Sequence, residues 1–548
     1  MDYIEKLNLQ TEEVEEVETL EKHIITNSEP FSVDEYEGHD RDFLAVGDEY
    51  EDGFNQLNET NRLGINCIVS KEVKEAREDV NGYKHEKLKD RIDSEVNEIK
   101  SSLDNIANDL ILTNNYRINY DLRHSNSGLF KLYNKPNEFS DFPITILTDG
   151  YNFHTTFDVA NFKHTGGTIY YVDPINGDNN NDGLTESTAV KRVYQAYTLC
   201  SDGDTIILLD GTYSRDSWFT TTVANNVINK SINIIAKNKG KVTIKSGDNH
   251  TFTKVDDTNI YSTNRTNVLT AIDISDVSKG VTFELKNVLS IDECKAEQNT
   301  WYQDGSTFYV HMFDDKVPTN DNLIVGLSTG VALINSACAS QSIKLYVDGI
   351  NFIGGTVGTV HIRNSENYLY PEIYAKDCIF KHGHSNVTAS KDGISLMGCN
   401  GYFQNCEVAF ASKDGFNYHT YNNIPCKAIE VNCKGYCNGI GWKDLTCNGS
   451  TVHDGGKIIR INCTYYNNQG ANVADVSEGT VSLNLGCLAY DSLANSKNGY
   501  DADFTTQQAG AKMYLDNCKA FGSYYSIRAV KGSTIELNNC SYSTIELL

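Results

Sequence analysis

The chain has 548 residues and a formal net charge of −27. A negative bias of that size opposes adventitious binding to nucleic acid or to an anionic membrane surface. Nothing approaches the run of about 18 apolar residues that a membrane-spanning helix needs. The opening, Met1-Asp2-Tyr3-Ile4-Glu5-Lys6, lacks the basic and apolar stretches of a secretory signal. The fifteen cysteines are therefore expected to be free thiols in a chain that folds in a reducing cytoplasm.

The charge is unevenly spread. Residues 1–65 carry 19 Asp/Glu against 4 Lys/Arg, and read as a solvated tail or an acidic docking segment. Residues 376–460 carry nine Lys/Arg against seven Asp/Glu, so an anionic substrate is not excluded there. From Val73 onward the pattern becomes helical. Val96, Ile99, Leu103, Ile106 and Leu110 recur at steps of 3, 4, 3 and 4, a heptad seam. A seam this narrow is expected to pair with copies of itself. Residues 66–115 are thus expected to form an α-helical coiled-coil connector; the alternative is an amphipathic helix packed on its own domain. Residues 116–168, with short alternating pieces such as Ile144-Thr145-Ile146-Leu147, read as a neck.

Residues 169–548 follow a different grammar. Ile169-Tyr170-Tyr171-Val172 is a strand by composition. A helix is predicted over about Thr188–Leu199, then strands over Gly203–Leu209 and Gly211–Tyr213. Short β-rich runs separated by Gly, Asn and Asp follow, with almost no helix signal. A dipeptide then recurs: Asp377-Cys378, Asn405-Cys406, Asn432-Cys433, Asn462-Cys463, Gly486-Cys487, Asn517-Cys518 and Asn539-Cys540, at Cys-to-Cys steps of 28, 27, 30, 24, 31 and 22. Repeats of this length are single turns of a solenoid. Each Asn or Asp would take a left-handed corner, and the following Cys would point inward as a small hydrophobe. Single cysteines this far apart do not resemble zinc knuckles. The expected fold is a mainly β, right-handed parallel β-helix.

Two resemblances follow. Tyr170-Tyr171-Val172-Asp173-Pro174 through Gly211-Thr212-Tyr213, with Asn176-Gly177-Asp178 and Gly203-Asp204-Thr205-Ile206 between, resembles the opening turn of pectin-lyase-like β-helices, in which a helix caps the open end. Glu75-Ala76-Arg77 followed by Leu88-Lys89-Asp90-Arg91-Ile92-Asp93 resembles the connector of tail fibres and tail spikes from phages of Gram-positive bacteria, where Ile92 departs from the usual Leu. Together they imply a phage tail spike or receptor-binding protein. The resemblance implies a homotrimer on the virion, made in the host cytoplasm and joined to other tail proteins through residues 1–65. The chain ends soon after Ser543-Thr544-Ile545-Glu546, so recognition is expected on the β-helix itself.

Laying the turns over one another places candidate chemistry on one face. Strand alternation sets Phe416, Tyr418 and Val452 on one side and Asn417, His419 and His453 on the other. His419, His453 and Asp475 then fall near one column. His453 beside Asp475 could work as a general acid or base oriented by a carboxylate, and His453-Asp454 is the strongest single candidate. Asp414, Asp454 and Asp503 could supply the second carboxyl of glycoside hydrolysis, or the same groups could hold a divalent metal. The alternative is a polar ladder satisfying strand edges. Lys413, Asn417, Arg460 and Trp442 are the expected substrate contacts. His382-Gly383-His384 reads as loop surface, and the Asn176–Gly183 loop, lacking EF-hand spacing, as a turn. Three functions remain open: a spike that cuts a bacterial capsular polysaccharide, exopolysaccharide or teichoic acid, a receptor-binding spike without catalysis, and a free polysaccharide lyase.

Overall fold

The computed structural model describes residues 130–548 except 215–227, 327–341, 357, 365–369, 385–390, 440–445 and 495–500. The acidic segment, the heptads and Trp442 lie outside the described residues. No described helix is long and apolar enough to cross a membrane.

The chain is mainly β, and most described strands lie in three long parallel sheets. The first has 11 strands, from Ile169–Val172 to Thr534–Asn538; the second has 10, from Gly211–Tyr213 to Ser541–Tyr542; the third has 8, from Val360–Arg363 to Ile545–Leu547. One turn visits all three. Ile394–Met397 lies in the third sheet, Asn400–Gln404 in the first and Glu407–Ala409 in the second, and the next turn stacks on it in parallel. Alternate residues of each strand face the lumen. Val360, Ile394, Phe416, Ser450, Val473, Phe504, Ile527 and Ile545 form one unbroken column. A slip of one residue would turn that column out to solvent, so the apolar pattern holds the register.

The corner between the first and second sheets is one residue in the left-handed region. Asp377, Asn405, Asn432, Asn462, Asn517 and Asn539 have φ of 50–54°, and Gly486 takes 60°. Asn and Asp tolerate this conformation better than other side-chain-bearing residues. Their side chains also bridge turns: Asn405 Nδ2 donates to Asp377 Oδ1 at 2.8 Å and Asn432 Nδ2 to Asn405 Oδ1 at 3.2 Å. The following cysteines are buried, apart from the half-buried Cys540, and unpaired. The thiols of Cys406, Cys463, Cys487, Cys518 and Cys540 each reach a carbonyl of the turn before, as in Cys463 Sγ to Glu430 O at 3.4 Å and Cys518 Sγ to Asn484 O at 3.3 Å.

The solenoid opens with a short helix, Val193–Leu199, whose Val193, Ala196 and Tyr197 cover the end of the core. The helix is shorter than the predicted span: after a 3₁₀ turn, Glu186–Thr188, capped by the Thr185 hydroxyl, Val190 bridges to Val172 and the helix begins only at Val193.

Not all of residues 169–548 is β-helix. Val242–Lys245 pairs directly with Ile350–Ile353, so consecutive turns stack while the intervening chain is extruded. That insertion holds a five-stranded, largely antiparallel sheet and a three-stranded one, around Trp301, Phe308, Val310, Met312 and Leu323. The hairpin between Thr300–Asp304 and Thr307–His311 turns through Gly305 at φ 55°, where a two-residue loop needs positive φ. The two loop residues, Gly305-Ser306, are a hairpin signal in the sequence.

Residues 130–168, read as a neck, lie along the outer face of the first sheet. Phe139, Phe153, Phe157 and Val159 pack on Tyr346, Tyr374, Tyr402, Ile429, Ile459 and Leu483. Phe162 stacks on Tyr374 with ring centres 4.6 Å apart, and Lys376 Nζ meets Asp158 Oδ1 at 2.7 Å.

The thiol column makes a direct prediction. Burial pushes Cys463 up to about 12 and raises Cys487 and Cys518 as well, and the thiolate is the reactive form. Among the described cysteines, a thiol reagent applied to native protein should label Cys540 first and leave the others untouched until unfolding. Peptide mass spectrometry would read this; early labelling of Cys406 or Cys463 would contradict an interior ladder.

Candidate functional site

The outer face of the third sheet carries a cleft of about 230 Å³. His361, Lys391, Asp392, Lys413, Asn417 and His419 line it. They come from successive turns because strand alternation sends Ile394, Leu396, Phe416 and Tyr418 inward and their neighbours outward. Burial pushes the His361 imidazole down to about 4 despite nearby Asp392, so it is neutral at physiological pH.

At the lip of the cleft, His419 and His453 stack with ring centres 4.2 Å apart and planes 14° from parallel. His419 Nδ1 lies 3.2 Å from Asp454 Oδ2. Asp454 occupies the turn after Ser450–His453 at φ 57°. Its carboxylate accepts the Ser477 hydroxyl at 3.1 Å and its carbonyl the Thr420 hydroxyl at 2.5 Å. Neighbouring turns thus orient a carboxylate that orients an imidazole, the relation that general acid–base catalysis uses. The side chains are 26% and 48% exposed for His419 and Asp454, so a substrate can reach the pair. Burial disfavours ionised Asp454, but hydrogen bonds from His419 and Ser477 outweigh it and hold the carboxyl below its ordinary value. His453 is different. Burial and the neighbouring His419 push it down to about 3, and its Nε2 meets Thr451 Oγ1 at 3.0 Å. It is therefore neutral at neutral pH, with its ring stacked on His419.

Other residues read from the sequence as catalytic are placed elsewhere. Asp475 does not join the histidine column: it pairs in register with Val452, which faces the lumen. There it accepts a hydrogen bond from Ser482 and lies 3.5 Å from Arg460 Nη1. The outward position opposite His453 is Val476. Arg460 is also interior. Its Nε donates to Ser450 Oγ at 2.9 Å and its Nη1 to Asn484 Oδ1 at 3.1 Å. Glu430 completes the cluster, accepting from Tyr418 and Tyr465 hydroxyls at 3.0 and 2.5 Å. Asp414 is buried in a corner, where Asn417 Nδ2 donates to it at 3.2 Å and the Asn448 backbone at 2.6 Å. Asp503 is likewise buried, accepting from Asn472 at 3.0 Å and Ser523 at 2.5 Å. Asn417 sits in the cleft but spends its amide on Asp392, at 2.9 Å, and on Asp414. Lys413 stands 3.9 Å from Asp414.

Tyr436, Tyr466, Tyr490 and Phe521 form a ladder of parallel rings about 5 Å apart on the second sheet. Their faces are covered by one another, which leaves edges rather than sugar-stacking platforms. Among the described residues, one group of His, Cys, Asp and Glu converges closely enough to share a metal ion: Glu284, His382 and His384. The sequence signal was His382-Gly383-His384; its carboxylate partner lies in the insertion and had no local signal.

No family model and no curated protein matches this chain. Similar solved structures include "The complex structure of XylC with xylose" (TM-score 0.45, 10% identity, 68% of this chain and 69% of that one). A glycoside hydrolase gives a TM-score of 0.40 at 10% identity, over 69% of this chain and 97% of that one. Pectate lyase Pel9A gives 0.36 at 16% identity, over 70% and 81%.

The buried carboxyls predict a pH dependence. Burial raises Asp503 to about 8, Glu430 to about 7 and Asp475 to about 6. In the unfolded chain these groups ionise near pH 4. The native state therefore binds more protons across the intervening window, and their contribution to stability falls as pH rises from about 5 to about 8. Asp503→Asn stays neutral throughout, so its melting temperature should fall less than that of wild type over the same range. An unchanged slope would show that Asp503 is already ionised when folded.

Proposed function

We propose that this protein is a phage tail spike that binds an anionic bacterial surface polymer along its third sheet and cuts it, with His419 and Asp454 as the acid–base pair. A teichoic acid or an acidic capsular or exopolysaccharide fits. The observation that carries the reading is the solvent-reachable His419–Asp454 contact beside a cleft lined by Lys391 and Lys413. The two lysines supply positive charge in a chain of net charge −27. His419, oriented by Asp454, takes a proton from an attacking hydroxyl or water, or gives one to the leaving oxygen. The virion role and the trimer rest on the resemblance of residues 75–93 to tail-fibre connectors and on the heptads that follow.

One observation favours a spike that binds without cutting. Asp414, Asp475 and Asp503 are committed to buried hydrogen bonds. Among the described residues near the cleft, Asp392 and Asp454 are then what a two-carboxylate glycosidase site would draw on.

Incubating the purified protein with cell-wall and capsular polymers of Gram-positive hosts, and following chain length and new end groups, separates the two readings. His419→Ala should slow cleavage by about 10²–10⁴-fold with an unchanged melting temperature, and Asp454→Asn should slow it less. Binding without shortening across the panel would leave the receptor-binding function. Full activity in His419→Ala would move the chemistry elsewhere.

A further inference from the structure

A second site lies where the insertion meets the solenoid. Glu284 ends the insertion strand Phe283–Glu284, while His382 and His384 follow Ile379–Lys381 of the second sheet. One ligand atom from each lies within 4.8 Å of the others. Glu284 Oε1 is 3.0 Å from His382 Nδ1 and 2.5 Å from His384 Nε2.

The surroundings hold these groups in place. His382 sits at φ 60°, a conformation that is costly for a bulky residue. Its backbone N–H donates to Ala409 O at 3.2 Å and that of His384 to Gly355 O at 3.0 Å. A Cβ at Gly383 would fall 2.7 Å from Asp392 O, so only glycine lets the turn bring both imidazoles to the same spot. Phe410 stacks on the His382 ring at 5.1 Å. The far nitrogen of that ring, Nε2, lies 2.7 Å from the Thr282 hydroxyl. A contact of this kind at the remote nitrogen fixes ring orientation and leaves the near nitrogen for a ligand, as partners of metal-binding histidines do. On the insertion side, Lys381 Nζ donates to Gly280 O at 2.5 Å, and Ile353 packs with Ile272, Ile274 and Ile324.

Side-chain exposure is 1% at His382, 12% at His384 and 40% at Glu284. The donor set is closed on the imidazole side and open on the carboxylate side. Two imidazoles and one carboxylate suit borderline divalent ions, and three protein ligands leave a position for water. We propose that Glu284, His382 and His384 bind one divalent transition-metal ion, with Zn²⁺ the best fit, which clamps the insertion to the solenoid and keeps a coordination position open to solvent.

The test uses the full chain, stripped with chelator and titrated with Zn²⁺ alone by calorimetry, then with Co²⁺ followed by visible absorption. One ion per chain is expected, with a melting temperature that rises with free metal. Glu284→Gln, nearly isosteric and at the exposed end of the site, and His384→Ala should each weaken binding by about 100-fold or more, and Thr282→Val by about 10-fold. Absence of stoichiometric binding by wild type would overturn the proposal. So would undiminished affinity in both Glu284→Gln and His384→Ala. A thiolate-to-cobalt charge-transfer band would assign the ion to cysteine and overturn it as well.

Discussion

A parallel solenoid closes each turn only if its backbone can bend sharply between sheets without stranding polar groups. Here one left-handed residue per turn makes the bend between the first and second sheets, and Asn or Asp occupies it in six of the seven recurring dipeptides. Their side chains bridge successive turns, so the corner that bends the chain also sets the turn-to-turn stacking. The cysteine that follows is buried just inside the bend, in the core of the solenoid, apart from the half-buried Cys540. The corner closes the turn, and the apolar pattern then holds the strand register and with it the direction of every outward side chain.

With the register set, each sheet presents one outer face, and the three faces differ. The first is covered by residues 130–168 through an apolar cluster of its own. The second carries rings stacked along the solenoid axis, with their faces mutually covered. The third exposes a cleft with imidazoles, lysines and carboxylates. Placing the candidate chemistry on the third sheet therefore follows from what covers the other two as well as from the residues it bears.

The lumen is not purely apolar. Glu430, Arg460 and Asp475 sit together inside it, tied to Tyr418, Tyr465, Ser450, Ser482 and Asn484. A buried ion cluster of this kind is weak evidence for stability, because desolvation opposes the attraction. It fills interior positions with groups that would otherwise have suggested a substrate site, and it places Asp475 and Arg460 away from the cleft of the third sheet.

The repeating Asn-Cys dipeptide was enough to find the β-helix, its corners and its buried thiols, because each is a local requirement met by a local residue. Strand alternation likewise told apart the inward Phe416 and Tyr418 from the outward Asn417 and His419. The placement of Asp475 was beyond that reading: turns of 22 to 31 residues vary in loop length, and one residue of register exchanges lumen for surface. Asp454 was legible beside its neighbour His453, but its contact with His419 was not, since a turn at positive φ aims its side chain. The insertion, the strip of residues 130–168 on the first sheet and the meeting of Glu284 with His382 and His384 are contacts between segments far apart in the chain. Sequence determines the repeat because each turn carries its own instructions; tertiary structure alone decides which distant segments those turns bring together.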